Sequence, residues 1–152
     1  MKFLKIILCL LSLSSLAKGD PNDIIKDGLS LEISQKSIDT IIYYEIGGKS
    51  YYEKYLARPT VPAWQTTASG VTIGMGFDCG YNTKEQIQKA LGGVLPDDQI
   101  KLLQSVSGMK GRNAYYNGLP KVKYSVTMTY DQALTVFMRD SLVRFSKQTS
   151  DA

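Results

Sequence analysis

Two carboxylates and one hydroxyl in this chain lie in sequence surroundings that suit acid–base chemistry. Glu45 continues an apolar stripe that begins at Ile38 and follows the i, i+3, i+4 and i+7 spacing of one helix face. Gly47 and Gly48 end the predicted helix directly behind it. Burial and the negative end of a helix dipole both favour a protonated carboxyl group, which a general acid needs. The alternative is a helix-end glutamate whose carboxylate reaches water.

The other two candidates lie in residues 69–81, which alternate with the period of two that is typical of a strand. The apolar positions are Val71, Ile73, Met75 and Phe77, and the positions between and after them are Thr72, Gly74, Gly76 and Asp78. Thr72 and Asp78 share the open face, where the glycines would let a ligand approach the backbone. A straight strand would separate this pair by about 20 Å. The strand must therefore bend at Gly74 or Gly76 if both residues act on one substrate; otherwise Thr72 faces solvent and Asp78 ends the strand.

The residue types and motifs that the chain lacks exclude several classes of catalytic site. The chain contains no histidine, which excludes Ser-His-Asp and Cys-His catalysis in their usual forms and most zinc sites. It has no phosphate-binding loop and no dinucleotide fingerprint, and we expect no metal and no cofactor. Carboxylates and hydroxyls remain, and they suit hydrolysis of a glycosidic bond. Glu53, in the loop after Glu45, rivals Asp78 as the second carboxylate.

Three aromatic residues near these carboxylates are candidates for substrate binding. They are Tyr52, Trp64 and Tyr81, each of which has a large flat face that could stack on a sugar ring. Each could equally pack in the core, and the sequence leaves both alternatives open.

Residues 1–17 have the composition of a secretory signal peptide. A basic start and the short apolar run of residues 6–16 lead to Ala17, after which the cut is expected, with Gly19 as the alternative. The run is too short for a comfortable membrane span. We therefore expect a secreted protein, extracellular or periplasmic, with residues 18–152 as one domain that has no membrane contact once the signal is removed.

Charge and cysteine content bear on partners. The chain has 18 basic and 14 acidic residues, a formal net charge of +4, and Lys2 and Lys5 leave with the signal. No long basic run is present, so nucleic acid is not an expected partner. Cys9 also leaves with the signal, so Cys79 has no internal disulfide partner and is expected to be a small buried hydrophobe. The expected form is a monomer.

The predicted elements are mainly helices with a small β element, an α+β class. The predicted helices run from Ser34 or Ser37 to Ile46, from Thr83 to Leu91, from Pro96 to Val106, and from Thr129 through Phe145. Thr83-x-x-Gln86 and Thr129-x-x-Gln132 are capping boxes. Residues 47–69 form a long connection, with a short strand or a helical turn around Glu53.

These segments resemble a known family. A glutamate at the end of a first helix, followed by a Thr-Ile-Gly-x-Gly strand, resembles the phage-type lysozymes. Residues 69–78, Ser-Gly-Val-Thr-Ile-Gly-Met-Gly-Phe-Asp, are more similar to the pesticin-like muramidases, in which the acidic partner follows the Thr strand. The resemblance covers about residues 37–145. It implies a lysozyme-like fold and cleavage of the β-1,4 bond between N-acetylmuramic acid and N-acetylglucosamine in peptidoglycan.

The resemblance also implies a role for each motif residue. Glu45 is then the general acid, Thr72 holds the attacking water, and Asp78 is the assisting carboxylate. The phage-type enzymes invert, which requires carboxyl groups roughly 6.5–9.5 Å apart. Two features depart from the family: Phe77 replaces the phage-type histidine, and the chain stops at Ala152 before the helices that complete the larger lobe. We therefore expect either a fragment or an abbreviated lobe.

The sequence is compatible with three functions. The first is a secreted, bacteriolytic muramidase, which the combination of Glu45, Thr72 and Asp78 favours. The second is a peptidoglycan- or glycan-binding domain without turnover, which the early end of the chain favours. The third is an interaction module that keeps only the fold.

Overall fold

The computed structural model of the protein describes Thr40, residues 42–44 and residues 46–142. This part of the chain is mainly helical and contains one small two-stranded antiparallel sheet. The predicted class, α+β with mainly α, is therefore confirmed for the described residues. The predicted signal peptide, Glu45 and Phe145 lie outside the described residues. Within the described residues, no helix has both the length and the apolar character that a membrane crossing needs.

The helices of the described chain are short. Thr40, residues 42–44 and Ile46 are helical, in agreement with the first predicted helix. The following helices are α1 (Lys49–Tyr55), α2 (Lys84–Leu91), α3 (Asp97–Gln104), α4 (Gly111–Asn113), α5 (Leu119–Val122) and α6 (Tyr130–Val136), with a 3-10 helix at Cys79–Tyr81 and π-helical stretches at Ala114–Gly118 and Phe137–Leu142. Helix α1 replaces the first part of the predicted connection, where a helical turn around Glu53 is one of the two expected alternatives.

The single strand predicted around Thr72 is a β-hairpin in the structure. Strand β1 (Thr72–Ile73) pairs antiparallel with strand β2 (Phe77–Asp78). The chain reverses between them through Gly74 and Gly76, whose φ angles of 63° and 91° lie in the left-handed region that glycine adopts without steric penalty. The bend expected at one glycine is therefore a complete reversal that uses both.

The apolar side of the hairpin faces the core, as its alternation predicts. Its buried side chains are Val71, Ile73, Met75 and Phe77. Gly74 is buried as well, and an ideal Cβ there would lie 2.7 Å from Sδ of Met128 and 3.4 Å from Cβ of Ala133. The expected approach of a ligand to the backbone at Gly74 is therefore wrong, because the protein's own core fills that space.

Both predicted capping boxes are confirmed. Thr83 Oγ1 accepts a hydrogen bond from the N–H of Gln86 at 3.2 Å, and Gln86 Oε1 accepts one from the N–H of Thr83 at 2.8 Å. Thr129 and Gln132 exchange the same two bonds at the start of α6. The Gln132 side chain also donates to the carbonyl of Val94 at 2.8 Å, so this cap ties α6 to the loop after α2.

Tyr52 is a core residue. Its side chain is 0% exposed, its hydroxyl donates to the carbonyl of Met128 at 3.0 Å, and its ring meets Tyr130 edge-on at 5.6 Å. The hydrogen bond satisfies the one polar atom of a buried ring, which is the usual requirement for a core tyrosine. The expectation that Tyr52 contacts substrate is wrong, because a ring without exposed surface cannot stack on a sugar.

Candidate functional site

The hairpin places Thr72 and Asp78 directly opposite each other. They are cross-strand partners in the antiparallel pair, and residues opposite each other in such a pair lie on the same face of the sheet. On its other side Thr72 exchanges two backbone hydrogen bonds with Thr60, at 2.9 and 2.8 Å. Because these bonds use the N–H and C=O of Thr72, its pair with Asp78 is of the non-hydrogen-bonded kind, with Cα atoms about 4.5 Å apart. Thr72 and Asp78 are therefore neighbours across the hairpin and not residues at the two ends of one straight strand.

The Asp78 carboxylate is held by the backbone around it. The N–H of Gly70 donates to both carboxylate oxygens, at 3.1 Å to Oδ1 and 3.0 Å to Oδ2. The N–H of Gly80 donates to Oδ1 at 2.7 Å, and this bond caps the 3-10 helix. The pKa of Asp78 is raised because burial disfavours the charged form, and the two backbone donors and the charge of Lys110 oppose that rise.

Two glycines make this arrangement possible. An ideal Cβ at Gly70 would lie 2.5 Å from the Cα of Gly80, and one at Gly80 would lie 2.8 Å from the Cα of Gly70 and 2.6 Å from the carbonyl oxygen of Met109. Real Cβ atoms do not approach backbone that closely, so both positions require glycine. The close packing of the two backbones presents both N–H groups to one carboxylate.

Thr72 is half-buried beside this carboxylate. Its hydroxyl donates to the carbonyl of Gly70 at 3.2 Å. A hydroxyl has one donor and two acceptor positions, so the oxygen of Thr72 can still accept a hydrogen bond from a water molecule. The role expected for Thr72, holding a water next to Asp78, is compatible with this geometry.

Tyr81 and Lys110 form a second group at the edge of the site. The Nζ of Lys110 lies 3.7 Å from the centroid of the Tyr81 ring, and Tyr81 is 59% exposed. Lys110 also forms an isolated β-bridge with Gly70, the residue that donates to Asp78. Lys110 could not be identified from the sequence, because its link to the motif depends on pairing between segments 40 residues apart.

Trp64 belongs to an aromatic cluster with Tyr115 and Tyr116. The rings of Trp64 and Tyr115 are stacked at 4.2 Å with an interplanar angle of 17°, and Tyr116 meets Trp64 edge-on at 5.3 Å. Tyr115 and Tyr116 lie in the π-helical stretch Ala114–Gly118, and such stretches occur frequently at functional sites. Trp64 is half-buried and Tyr116 is 60% exposed, so Tyr116 offers more of its ring to a ligand.

The aromatic cluster adjoins the Asp78 group through the backbone. The N–H of Gly111 donates to the carbonyl of Ser69 at 2.8 Å, next to the bridge between Gly70 and Lys110. The loop that contains Trp64 and the helical segment that contains Tyr116 are therefore joined at the residues that precede Thr72. The sequence predicted Trp64 but missed Tyr115 and Tyr116, which carry no local motif.

The rival carboxylate, Glu53, is on the surface. It lies on α1, is exposed, and its Oε1 is 4.0 Å from Nζ of Lys49, one helical turn earlier. Exposed pairs of this kind contribute little to stability. The position of Glu45 lies outside the described residues, so the distances from Glu45 to Glu53 and to Asp78 stay predictions.

Cys79, next to Asp78 in the sequence, is a buried core residue. Burial, together with the neighbouring Asp78 charge, raises the pKa of the Cys79 thiol to about 12, which suits the expected small buried hydrophobe. Within the described residues there is no group of three or more cysteine, aspartate or glutamate side chains that could hold a metal ion.

The chain was compared with protein-family models, with curated proteins and with solved structures, and none of these comparisons gave a significant match. The candidate site therefore rests on its own geometry and on the motif in residues 69–81.

Proposed function

We propose that the protein is a peptidoglycan hydrolase with a lysozyme-like fold, which cleaves the β-1,4 bond between N-acetylmuramic acid and N-acetylglucosamine. The observation that carries this proposal is the direct pairing of Thr72 and Asp78 across the hairpin. A hydroxyl that can accept from water and a half-buried carboxylate then lie side by side, beside exposed aromatic rings. This is the arrangement that an inverting glycosidase needs for its water and base.

The proposed reaction follows the inverting scheme. Glu45 donates a proton to the glycosidic oxygen while the bond from that oxygen to the anomeric carbon of N-acetylmuramic acid breaks. A water held by Thr72 attacks the same carbon from the opposite face, and Asp78 accepts the proton that this water loses. Glu45 ends the cycle charged and Asp78 protonated, and proton exchange with solvent resets both.

Exposed aromatic surface supports a glycan substrate. Tyr81 beside Lys110, and Tyr116 with Trp64 in the aromatic cluster, present partly exposed rings near the segment that leads into Thr72. Aromatic side chains combine a large apolar face with a polar atom at the rim, which suits the apolar faces and peripheral hydroxyls of sugars. Tyr52 is not retained in the proposed site, because it is buried.

Single substitutions at the carboxylates test the catalytic assignment. We expect Glu45→Gln to lower the release of reducing ends from peptidoglycan by about 10²–10⁴-fold, because it removes the proton donor but keeps the shape of the side chain. Asp78→Asn should cost much of the activity as well. Glu53→Gln is the matched control and should cost little, because Glu53 is exposed on α1.

Clearing of a peptidoglycan suspension and a reducing-sugar assay measure these effects, and circular dichroism checks that each variant is folded. Full activity of Glu45→Gln would place the general acid elsewhere. Loss of activity in Glu53→Gln with full activity in Asp78→Asn would exchange the roles of these two carboxylates.

A second candidate function is glycan binding without turnover. The hydrogen bonds of Asp78 favour this function. The carboxylate accepts from the N–H groups of Gly70 and Gly80, so its structural role alone explains why an aspartate is needed there. A protein that sediments with insoluble peptidoglycan but releases no reducing ends would support binding over catalysis.

A further inference from the structure

Basic residues are concentrated in the segments that meet beside Asp78. Between Asp98 and Asp131 the sequence contains five basic residues and no acidic one, and between Glu53 and Asp78 it contains two basic residues and no acidic one. The two segments pair at the bridge between Gly70 and Lys110. Asp78 ends the segment that begins at Glu53 and lies at this bridge, because the N–H of Gly70 donates to its carboxylate.

Lys110 is the cation that the structure fixes at this junction. Its backbone is held by the bridge to Gly70, and its ammonium group lies over the exposed ring of Tyr81 at 3.7 Å. A cation over an aromatic face is attracted by the ring quadrupole, which holds the long side chain in one region of the surface. Within the described residues Lys110 forms no salt bridge, so its charge can pair with a ligand.

We propose that Lys110, held over Tyr81, is a specificity-determining residue that binds a carboxylate carried by the glycan at Thr72 and Asp78. The inference rests on the proposed function. It adds that the site prefers glycans that carry a carboxylate over neutral ones. The ligand carboxylate is borne on O3 of N-acetylmuramic acid, either as the free lactyl acid or on a peptide attached to it. A chain of N-acetylglucosamine alone has the same backbone and lacks this charge, and Lys110 distinguishes the two by charge complementarity.

Binding of matched glycans to a variant without turnover tests this selection. In the Glu45→Gln background, isothermal titration compares a peptide-free peptidoglycan tetrasaccharide, the same tetrasaccharide with its lactyl carboxylates amidated, and a peptide-bearing one. A tetrasaccharide of N-acetylglucosamine is the neutral reference. The variant is Lys110→Gln, and Lys110→Arg restores the charge.

The matched control is Lys123→Gln. Lys123 also lies over an exposed tyrosine, with its Nζ 5.6 Å from the Tyr124 ring centroid, but its charge does not contribute to the pKa of Asp78, whereas that of Lys110 does. The control thus removes one charge from another lysine–tyrosine surface pair, whose lysine does not contribute to the pKa of Asp78.

Lys110→Gln should weaken binding of the carboxylate-bearing tetrasaccharides by about two- to fivefold, the effect of one exposed charged contact. Binding of the amidated and the N-acetylglucosamine tetrasaccharides should not change, Lys110→Arg should restore the selectivity, and Lys123→Gln should leave it intact. A larger effect on the peptide-free ligand assigns the contact to the lactyl acid, and a larger effect on the peptide-bearing ligand assigns it to the peptide.

Equal losses for charged and amidated ligands, no loss for either, or the absence of all glycan binding would overturn the inference. It would also be overturned if a single-stranded oligonucleotide bound more tightly than the glycans and lost that binding in Lys110→Gln. Selective binding without hydrolysis by the wild type would refute only the proposed catalysis. Hydrolysis without charge selection at Lys110 would refute only this inference.

Discussion

At the residue scale, Asp78 combines a structural role with the proposed catalytic one. Its carboxylate holds the N–H groups of Gly70 and Gly80, so the alternative interpretation as a turn residue describes part of what it does. An ionised carboxylate offers about four acceptor positions, and the backbone contacts do not fill them all. A water beside Thr72 can take the remaining position, and the two roles are therefore compatible.

The raised pKa of Asp78 predicts a pH dependence of stability. Burial is the main cause of the rise, and the donors Gly70 and Gly80 and the charge of Lys110 offset it only in part. The folded chain then binds this proton more readily than the unfolded chain does. The resulting stabilisation is complete below the unfolded pKa and is lost as the pH rises through the folded pKa.

Urea unfolding of the wild type and of Asp78→Asn, from neutral to acid pH, measures this contribution. The free energy of unfolding of the wild type should rise relative to that of the variant as the pH falls through the folded pKa, because only the wild type can take up the proton. A relative fall would mean that the charged form is the favoured one in the folded protein.

The environments of Tyr52 and Trp64 could not be predicted from the sequence. Tyr52 and Trp64 have the same ambiguity in the sequence, because a large aromatic ring serves a core and a ligand site equally well. The structure buries Tyr52 against Met128 and leaves Trp64 in the partly exposed aromatic cluster. Only contacts with residues more than 50 positions away separate these cases.

At the element scale, features that depend on neighbouring residues were predictable. The capping boxes at Thr83 and Thr129 are confirmed because each is complete within four residues. The alternation of residues 71–77 correctly predicts which side chains are buried. The chain reversal at Gly74 and Gly76 was predicted only as a bend. The alternation of apolar and polar residues looks the same in one long strand as in the two strands of a hairpin.

The junction of the hairpin and the 3-10 helix should be sensitive to any added side chain. At Gly70→Ala the new Cβ would lie 2.5 Å from the Cα of Gly80, and forcing such contacts typically costs about 1–3 kcal/mol or more. Gly93→Ala is the control, because no atom lies within 4 Å and only its φ of 72° is unfavourable, a cost of about 1–2 kcal/mol.

Chemical denaturation compares the two alanine variants. Gly70→Ala should lose more unfolding free energy than Gly93→Ala and should also lose activity, because the N–H of Gly70 holds the Asp78 carboxylate. Equal losses of stability with full activity in both variants would show that the close approach of Gly70 and Gly80 is not required.

At the scale of the whole molecule, the distribution of charge matters more than its total. A net charge of +4 with no long basic run gives no sign of a charged site in the sequence. The fold brings two segments without acidic residues together at Gly70 and Lys110, beside Asp78. Such a junction could not be predicted, because it depends on pairing between distant parts of the chain.

The proposed mechanism predicts the anomeric configuration of the product. If a water held at Thr72 and Asp78 attacks the face opposite the leaving sugar, the configuration at the anomeric carbon is inverted. Cleavage of the β-1,4 bond then yields N-acetylmuramic acid reducing ends that are α when first formed.

Proton NMR of peptidoglycan fragments during the first minutes of digestion tests this statement most directly. If Asp78 activates the attacking water, the α-anomeric signal of N-acetylmuramic acid appears first and the β signal grows later by mutarotation. Initial release of the β-anomer would contradict the assignment of Asp78 as a base that activates water. The absence of any new reducing end would contradict the proposed hydrolase activity itself.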